Sequence, residues 1–569
     1  MKHSKRYIVL SILLVIVFLL KFQFMDIDAG EIGEFRGGTL SKDVWYPLIA
    51  EDVNGRELKV VIDNKEYSSE KYLFYMDRNR NVIIPVNILR DALNCSAHIY
   101  DDSLLLVEKH NYSAQMALNE NIAFGSGEEF LIDSPLVEIN GDYYVSINDL
   151  SKMLGYSCTF DMDTNSIIAA DTAENVKSLP TSYDLRDRYR ISEVRNQGKY
   201  GTCCAFAALS AMESSLMPEE SYVFSVDHMS MSNSFNITQN DGGEYTMGMA
   251  YLAAWQGPVY EKDDPYGDGE SNGNLSAVKH VQEMRIIASK DISAIKEAVF
   301  KYGGVQTSMY SSLKNASSSS KYYNKDTYSY CYIGTNKPNH DVVIIGWDDN
   351  YSKENFKMSL EGDGAFICQN SWGSEFGDDG VFYVSYYDSN IGTHNVAYTR
   401  VDDNDNYDSI YQSDLCGWVG KLGYDKEAMY GANVFTAESD EKVVAASFYA
   451  TGPDTEYKIY VVDDFQDENS FHNKTLVAEG ILDDAGYYTI DFEQGINVDA
   501  GKKYAVVVYV KTPGATHPMA IEYDTGDKSL NNIDLEDGEG YISHSGNVFI
   551  NVKDKQDCNL CIKAFTWKR

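Results

Sequence analysis

The segment Asn196-Gln197-Gly198-Lys199-Tyr200-Gly201-Thr202-Cys203-Cys204-Ala205-Phe206 constrains this chain more than any other. A glutamine and two glycines lead into a cysteine. Residues 205–217 are then Ala, Leu, Met and Phe with a few Ser and one Glu, and Pro218 follows. That pattern predicts a helix that begins near Cys203, takes Thr202 as its N-cap and stops before the proline. A cysteine at a helix N-terminus meets the positive end of the macrodipole, which favours thiolate over thiol. Thiolate is the form that attacks carbonyls.

A nucleophilic thiolate needs a base, and the base needs an orienting group. Downstream, Asn339-His340-Asp341 opens the apolar run Val342-Val343-Ile344-Ile345, and Phe366-Ile367-Cys368 runs into Gln369-Asn370-Ser371-Trp372-Gly373. His340 follows Cys203 by 137 residues and Asn370 follows it by 167. Taken singly, each has an ordinary reading: a buried cysteine, a core histidine, a turn asparagine, a surface glutamine. Their joint occurrence in this order does not. The Cys, His, Asn order and spacing resemble the papain-like cysteine peptidases. Leu179-Pro180-Thr181-Ser182-Tyr183-Asp184-Leu185-Arg186 is similar to the mature start of that family, and Gln197 falls on its oxyanion-hole glutamine. Asp241-Gly242-Gly243 resembles the glycine pair whose backbone meets substrate, and Gly257-Pro258-Val259-Tyr260 through Asp264-Pro265-Tyr266 also has a counterpart.

The resemblance covers residues 179–401 and implies two lobes with the site in the groove between them. A mainly helical lobe would carry Cys203; a β-rich lobe would carry His340 and Asn370 on strands 342–345, 366–368 and 381–386, and the polar segment 317–326 would be an exposed loop. It implies a Cys203 thiolate paired with a His340 imidazolium, a pairing that can lower a thiol pKa to about 4. Asn370 would orient the ring, Trp372 would shield that hydrogen bond, and Gln197 with the Cys203 N–H would stabilise the oxyanion. Gly242, Gly243 and Asn339 would flank the substrate. His394 is a rival base, but it follows the asparagine and sits in a loop-like Gly392-Thr393 setting.

Two departures from the family pattern matter. Tyr200 stands where many relatives carry a disulfide cysteine, and Cys204 where they carry tryptophan. By composition either vicinal cysteine could be the nucleophile; counting six residues from Gln197 selects Cys203. Cys204 would point about 100° away around the helix, toward the core.

At 569 residues with 44% hydrophobic content, the chain has room for several buried cores. A net charge of −38 argues against nucleic-acid binding, because phosphates are repelled. Lys2, Lys5 and Arg6 precede an apolar run over 7–20, and Lys21 ends it. That run is shorter than the ~20 residues of a spanning helix and has the form of a secretory signal. Residues 1–29 therefore read as a cleaved signal or an uncleaved anchor, and either way the protein is expected to be secreted or displayed at the cell surface. Nine cysteines are few for an exported chain of this length. Cys558-Asn559-Leu560-Cys561 lacks a second Cys/His pair and reads as ordinary strand sequence.

Residues 30–57 read as a spacer. From residue 58, Ile84-Pro85-Val86-Asn87-Ile88-Leu89 recurs 61 residues later as Val145-Ser146-Ile147-Asn148-Asp149-Leu150. Each copy predicts a strand, a short helix and a strand pair. This duplicated pattern, over 58–172, resembles the copper amine oxidase N-terminal-like domain of exported bacterial proteins. The name implies no copper here: His98 and His110 are the only histidines between Asp26 and Asn196, too few for a dedicated site. A binding or spacer module is one role, a pro-region shielding the cleft another. Residues 173–178 form a linker, and N-terminal maturation is expected within Ala173 to Leu179.

Residues 402–569 change character to short alternating strands with turn signals, clearest at 443–449, 457–462, 487–492, 503–510 and 561–567, which predicts a β-sandwich. The region resembles the lectin-like domain joined to papain-like peptidases in clostridial surface proteins, which implies a glycan or cell-wall docking role. The fold class is thus multidomain α+β: a small α/β repeat domain, a two-lobed peptidase and a C-terminal sandwich. The implied function is an exported cysteine endopeptidase acting on protein or peptide substrates. A surface-binding protein with a silent papain-like domain is the alternative, and a Cys203–Cys204 disulfide would be one route to silence. No cofactor is required. Ca²⁺ on acidic loops such as Asp402-Asp403-Asn404-Asp405 or Asp463-Asp464 stays open, although they lack an ordered ligand pattern. Membrane contact would come only through an uncleaved N-terminal segment.

Overall fold

The computed structural model of the protein describes residues 46–47, 59–62, 65–67, 73–76, 82–93, 95–109, 112–125, 128–132, 134–154, 156–161, 166–171, 179–553 and 556–569. The expected signal, spacer and linker segments (1–29, most of 30–57, and 173–178) lie outside the described residues.

The helix Cys203–Leu216 is the centre of the middle domain, and every residue of it except Cys203 and Ser215 is buried. A helix that is apolar on all sides belongs inside a core. The strands His340–Asp348, Val305–Met309 and Thr393–Asp403 pack on one side of it, and the helices Val226–Met231 and Tyr245–Ala253 on the other. These are the two lobes expected from the sequence. The predicted strands at 342–345, 366–368 and 381–386 appear as His340–Asp348, Ala365–Gln369 and Val381–Ser385, mutually antiparallel neighbours. The polar segment 317–326 is not wholly an exposed loop. Tyr323 within it is buried and stacks on Phe376, because the short strand Tyr323–Asn324 pairs with Ser329–Tyr330.

The peptidase sheet does not end at its own edge. Its strand Lys279–Ile287 pairs with Ala485–Val498 of the C-terminal region, in the register Glu283↔Tyr488, Met284↔Tyr487, Arg285↔Gly486. The sheet then continues through Glu441–Ala450, Ile562–Lys568 and Ser409–Tyr411. Facing these four strands is a six-stranded sheet in the order Thr475–Leu482, Thr455–Val462, Lys503–Lys511, Ala428–Thr436, Gly540–Ser543, Ile550–Asn551. Phe448, Ile459, Tyr488, Val506, Val508 and Ile562 fill the space between them. The C-terminal region is the predicted sandwich, and one of its sheets is shared with the peptidase. Side chains reinforce the seam: Arg400 pairs with Asp491 at 2.8 Å and Thr489 Oγ1 donates to Gln282 Oε1 at 2.6 Å. The acidic run near 402 is used here, with Asp402 on Arg400 and Asp403 on Lys279.

In the N-terminal region the two repeats interlock. The strand Asp142–Ser146 of the second copy pairs with Val82–Pro85 of the first, and Ser166–Asp171 lies parallel to Lys59–Ile62. The helices Asn87–Asp91 and Ile147–Leu154 follow the first two of these strands at the predicted places. This unit docks on the peptidase through Glu219, whose carboxylate accepts from Ile99 N–H at 3.2 Å and meets His98 Nδ1 at 3.1 Å. Arg188 adds an ion pair to Glu108 at 2.7 Å. Glu219 lies just beyond the C-terminal end of the Cys203–Leu216 helix, about 20 Å from its N-terminus at 1.5 Å per residue. Among the described residues these contacts are remote from Cys203.

Gly486 is the tightest point of the domain seam. Its φ is +150°, and a Cβ there would stand 2.1 Å from the Met284 carbonyl oxygen. Gly486→Ala should therefore destabilise the junction by about 1–3 kcal/mol. Thermal unfolding should show a lowered first transition, and limited proteolysis should gain a cut between residues 401 and 410. An unchanged melt would contradict this account of the seam.

Candidate active site

Cys203 opens its helix at a partly exposed position, with Thr202 at the N-cap. Thr202 does not cap through its side chain; its hydroxyl instead shares a 2.6 Å hydrogen bond with the Tyr266 hydroxyl. Tyr266 also donates to the Gln197 carbonyl at 2.9 Å and packs edge-on against Tyr200. Tyr266 thus braces the 197–202 loop at a place where many relatives use a disulfide. Cys204 is buried, as the helical phase predicted.

His340 begins its strand facing Asn370, and its Nε2 lies 2.8 Å from Asn370 Oδ1. The indole of Trp372 stacks on the imidazole with centroids 4.8 Å apart. Asn370 Oδ1 also accepts from the Ser371 N–H at 2.8 Å, so the amide is held from two directions. An acceptor at Nε2 fixes the proton there and leaves Nδ1 as the free ring nitrogen. Gln197 is fixed in turn: its Nε2 donates to Tyr200 O at 2.8 Å and its Oε1 accepts from Ser371 Oγ at 2.7 Å. A primary amide carries two N–H groups, so one remains for a ligand.

The sequence-predicted residues therefore converge in part. His340, Asn370, Trp372 and, through Ser371, Gln197 form one connected group. Gly243 is exposed on the far wall, and a Cβ there would be 3.9 Å from Cys204 Cβ. Gly242 has φ +81°, which a side chain would strain. Asn339 stands immediately before His340. Its amide bonds both N–H and C=O of Ser311, at 2.7 and 3.1 Å, and holds the loop ahead of His340. His394 begins the strand Thr393–Asp403, stacks on Tyr245 and makes no contact with Asn370, so it is not the oriented histidine. Ser371 and Tyr266 were missed. Ser371 sits inside the quoted motif and could have been weighed; nothing local to Tyr266 signals its role.

The electrostatics differ from the expectation of a depressed thiol. Burial and the charge of Asp341 push Cys203 up to about 12, against hydrogen bonds from the Asp341, Cys204 and Cys203 backbones. Burial also pulls His340 below its ordinary value, opposed by Asn370 and Asp341. Both shifts act against the charged forms of the two groups. Asp341 is the residue after His340 and is 8% exposed. Its carboxylate accepts from Gln306 Nε2 at 3.0 Å and from Ser308 Oγ at 2.7 Å.

Removing that charge should lower the thiol pKa. Asp341→Asn is expected to shift the pH midpoint of Cys203 alkylation by iodoacetamide downward, by about one unit or more. An upward or absent shift would remove Asp341 from the account. Tyr266→Phe should cut turnover about tenfold through loss of two braces of roughly 1 kcal/mol each, read as kcat with little change in KM. A kcat at the wild-type level would mean that the loop is held without Tyr266.

Residues 179–401 match the model for the papain family cysteine protease, residues 410–566 that for the lectin like domain, and residues 61–169 that for the copper amine oxidase N-terminal domain. Cathepsin K of Mus musculus is 26% identical over 226 residues, covering 38% of this chain and 64% of the relative. The chain thus spans less than two thirds of the length of that curated relative. The clostridial cysteine protease Cwp84, solved after propeptide cleavage, superposes with a TM-score of 0.61 at 27% identity, over 68% of this chain and 99% of that one. The cysteine protease and lectin-like domains of Cwp84, a surface layer associated protein of Clostridium difficile, give 0.60 at 26% identity, over 68% and 89%. By motif order and fold, residues 179–401 are a papain-family cysteine protease domain, set between a copper amine oxidase N-terminal domain and a lectin-like domain.

Proposed function

We propose that the protein is an exported cysteine endopeptidase whose nucleophile is Cys203. The observation that supports this most is the His340 Nε2···Asn370 Oδ1 contact of 2.8 Å under the stacked Trp372 indole. It fixes the ring so that Nδ1 is the nitrogen left for the thiol. In the proposed reaction His340 takes the Cys203 proton, and sulfur forms a bond to the scissile carbonyl carbon as the π pair moves to oxygen. The free Gln197 N–H and the Cys203 backbone N–H receive that oxyanion. Collapse breaks the C–N bond, and the imidazolium gives its proton to the leaving amine. Water, deprotonated by His340, then attacks the thioester; the C–S bond breaks and the acid product leaves. Gly243 makes no hydrogen bond through its own N–H or C=O among the described residues, which suits it to pair with an extended substrate.

The likeness to a surface layer associated protein supports a cell-surface or secreted location, and the lectin-like match supports glycan docking by the C-terminal domain. Ca²⁺ on an acidic loop of that domain is part of the same reading, with Asp463-Asp464 the candidate, because Asp402 and Asp403 pair with Arg400 and Lys279. Millimolar CaCl₂ should then raise the melting temperature and EDTA reverse it; no shift would remove the ion.

The decisive experiment maps a peptidyl epoxide on the reduced, full chain by mass spectrometry. Label on Cys203 that is lost in His340→Ala is expected, with Gln197→Ala lowering kcat about 10²-fold or more. Label on Cys204 would shift the nucleophile by one residue. No label on either, in folded protein, would favour a silent domain. Intact mass after secretion tests maturation within Ala173 to Leu179, and a chain that retains the repeat unit would refute it.

A further inference from the structure

Asp341 is a buried carboxylate beside the site that has no cation of this chain paired with it among the described residues. Its carboxylate is met by neutral donors, Gln306, Ser308 and the Cys204 thiol, and among the described residues no lysine, arginine or histidine forms an ion pair with it. A buried carboxylate without a cation is costly, and such groups persist where a partner arrives from outside. The surroundings show where it would arrive. Gln306 also reaches Cys204 Sγ at 3.6 Å, and Cys204 Cβ lies beneath Gly243. Ser308 Oγ is 3.2 Å from Nδ1 of His394, which is exposed and stacked on Tyr245 with centroids 5.0 Å apart. These contacts gather Gly243, Tyr245 and His394 around Ser308 and Asp341, near Cys203.

Resting on the peptidase reading above, we propose that this group of residues takes a lysine or arginine side chain of the substrate, and that Asp341 selects it. With the scissile carbonyl at Cys203 and the peptide extended along Gly243, successive side chains alternate between solvent and wall. The side chain that meets this group belongs to the residue immediately before the one that supplies the scissile carbonyl. A cation there would also offset the charge that holds the Cys203 proton on, so that the correct substrate would prepare its own nucleophile. An apolar side chain would leave Asp341 unpaired and desolvated, which is how a built polar site rejects a near-isostere.

The test uses the reduced full chain and fluorogenic peptides that differ only at that position, carrying lysine, Nε-acetyllysine, norleucine or glutamate. Epoxide labelling of Cys203 is measured first in the same preparation. The expected result is kcat/KM for lysine about tenfold or more above acetyllysine and norleucine, with glutamate lowest. Asp341→Asn should reduce the lysine advantage to within about threefold, and Asp341→Glu should retain it. Equal rates for lysine and acetyllysine in labelled wild-type enzyme would overturn the inference and leave the peptidase reading standing. That comparison needs no variant to fold. A lysine preference that survives Asp341→Asn would also overturn it, by placing the recognition elsewhere. Failure to label Cys203 would sink the peptidase reading itself.

Discussion

The buried pair between Arg195 and Glu213 is the interaction on which the site's geometry depends. Glu213 sits inside the central helix and is fully buried, and its carboxylate accepts from Arg195 Nη2 at 3.2 Å and from Phe224 N–H at 2.8 Å. Arg195 is two residues before Gln197, and its carbonyl accepts from Gly373 N–H at 3.0 Å. Gln197 N–H in turn donates to Ser371 O at 2.8 Å, and Asn196 bridges Trp372. One ion pair therefore fixes the oxyanion loop to the helix that carries Cys203, and two backbone hydrogen bonds, which together make the Asn196–Trp372 bridge, fix the same loop to the strand end that carries Asn370. Burial pushes Glu213 up to about 7 even with Arg195 opposing. Such a pair is weak evidence for stability, but losing one partner strands a charge at a cost of about 3–5 kcal/mol. Its function is placement.

Placement alone does not make a reactive thiol, and here two electrostatic effects compete. A helix N-terminus stabilises an anion by about 0.3–1 kcal/mol, up to ~2 when partly buried. Burial, and after it the charge of Asp341, opposes that gain, and Cys203 is pushed up rather than down. Sequence reasoning credited the helix and the histidine and overlooked the residue next to the histidine.

What was legible in the chain was local or motif-borne. Gln197, Cys203, His340 and Asn370 stand in short segments whose residue types are specific, and the strands around them are apolar runs with clear ends. The repeat helices and the sandwich strands were readable for the same reason. The seam between Lys279–Ile287 and Ala485–Val498 was not, because an edge strand carries no mark of the partner that will pair with it two hundred residues later. Tyr266 and Asp341 were missed for a related reason. Their roles come from what the fold brings against them (Thr202 and the Gln197 carbonyl for one, Gln306 and Ser308 for the other), and no spacing rule encodes those meetings.

The shared sheet also changes how the C-terminal domain should be understood. A sandwich on a flexible tether would raise the local concentration of substrate without regard to direction. Here a backbone ladder and the Arg400–Asp491 pair fix the sandwich to the peptidase. A further contact, Asn236 N–H to Ser529 O at 2.8 Å, ties the Lys528–Leu530 turn to the loop that precedes Gly242 and Gly243. A ligand held on the sandwich is therefore presented at a fixed distance and angle from the cleft. Substrate choice would then depend on where a cleavable segment stands relative to the anchored surface as well as on the side chain opposite Asp341. The N-terminal unit is fixed at the far end of the central helix through Glu219 and Arg188.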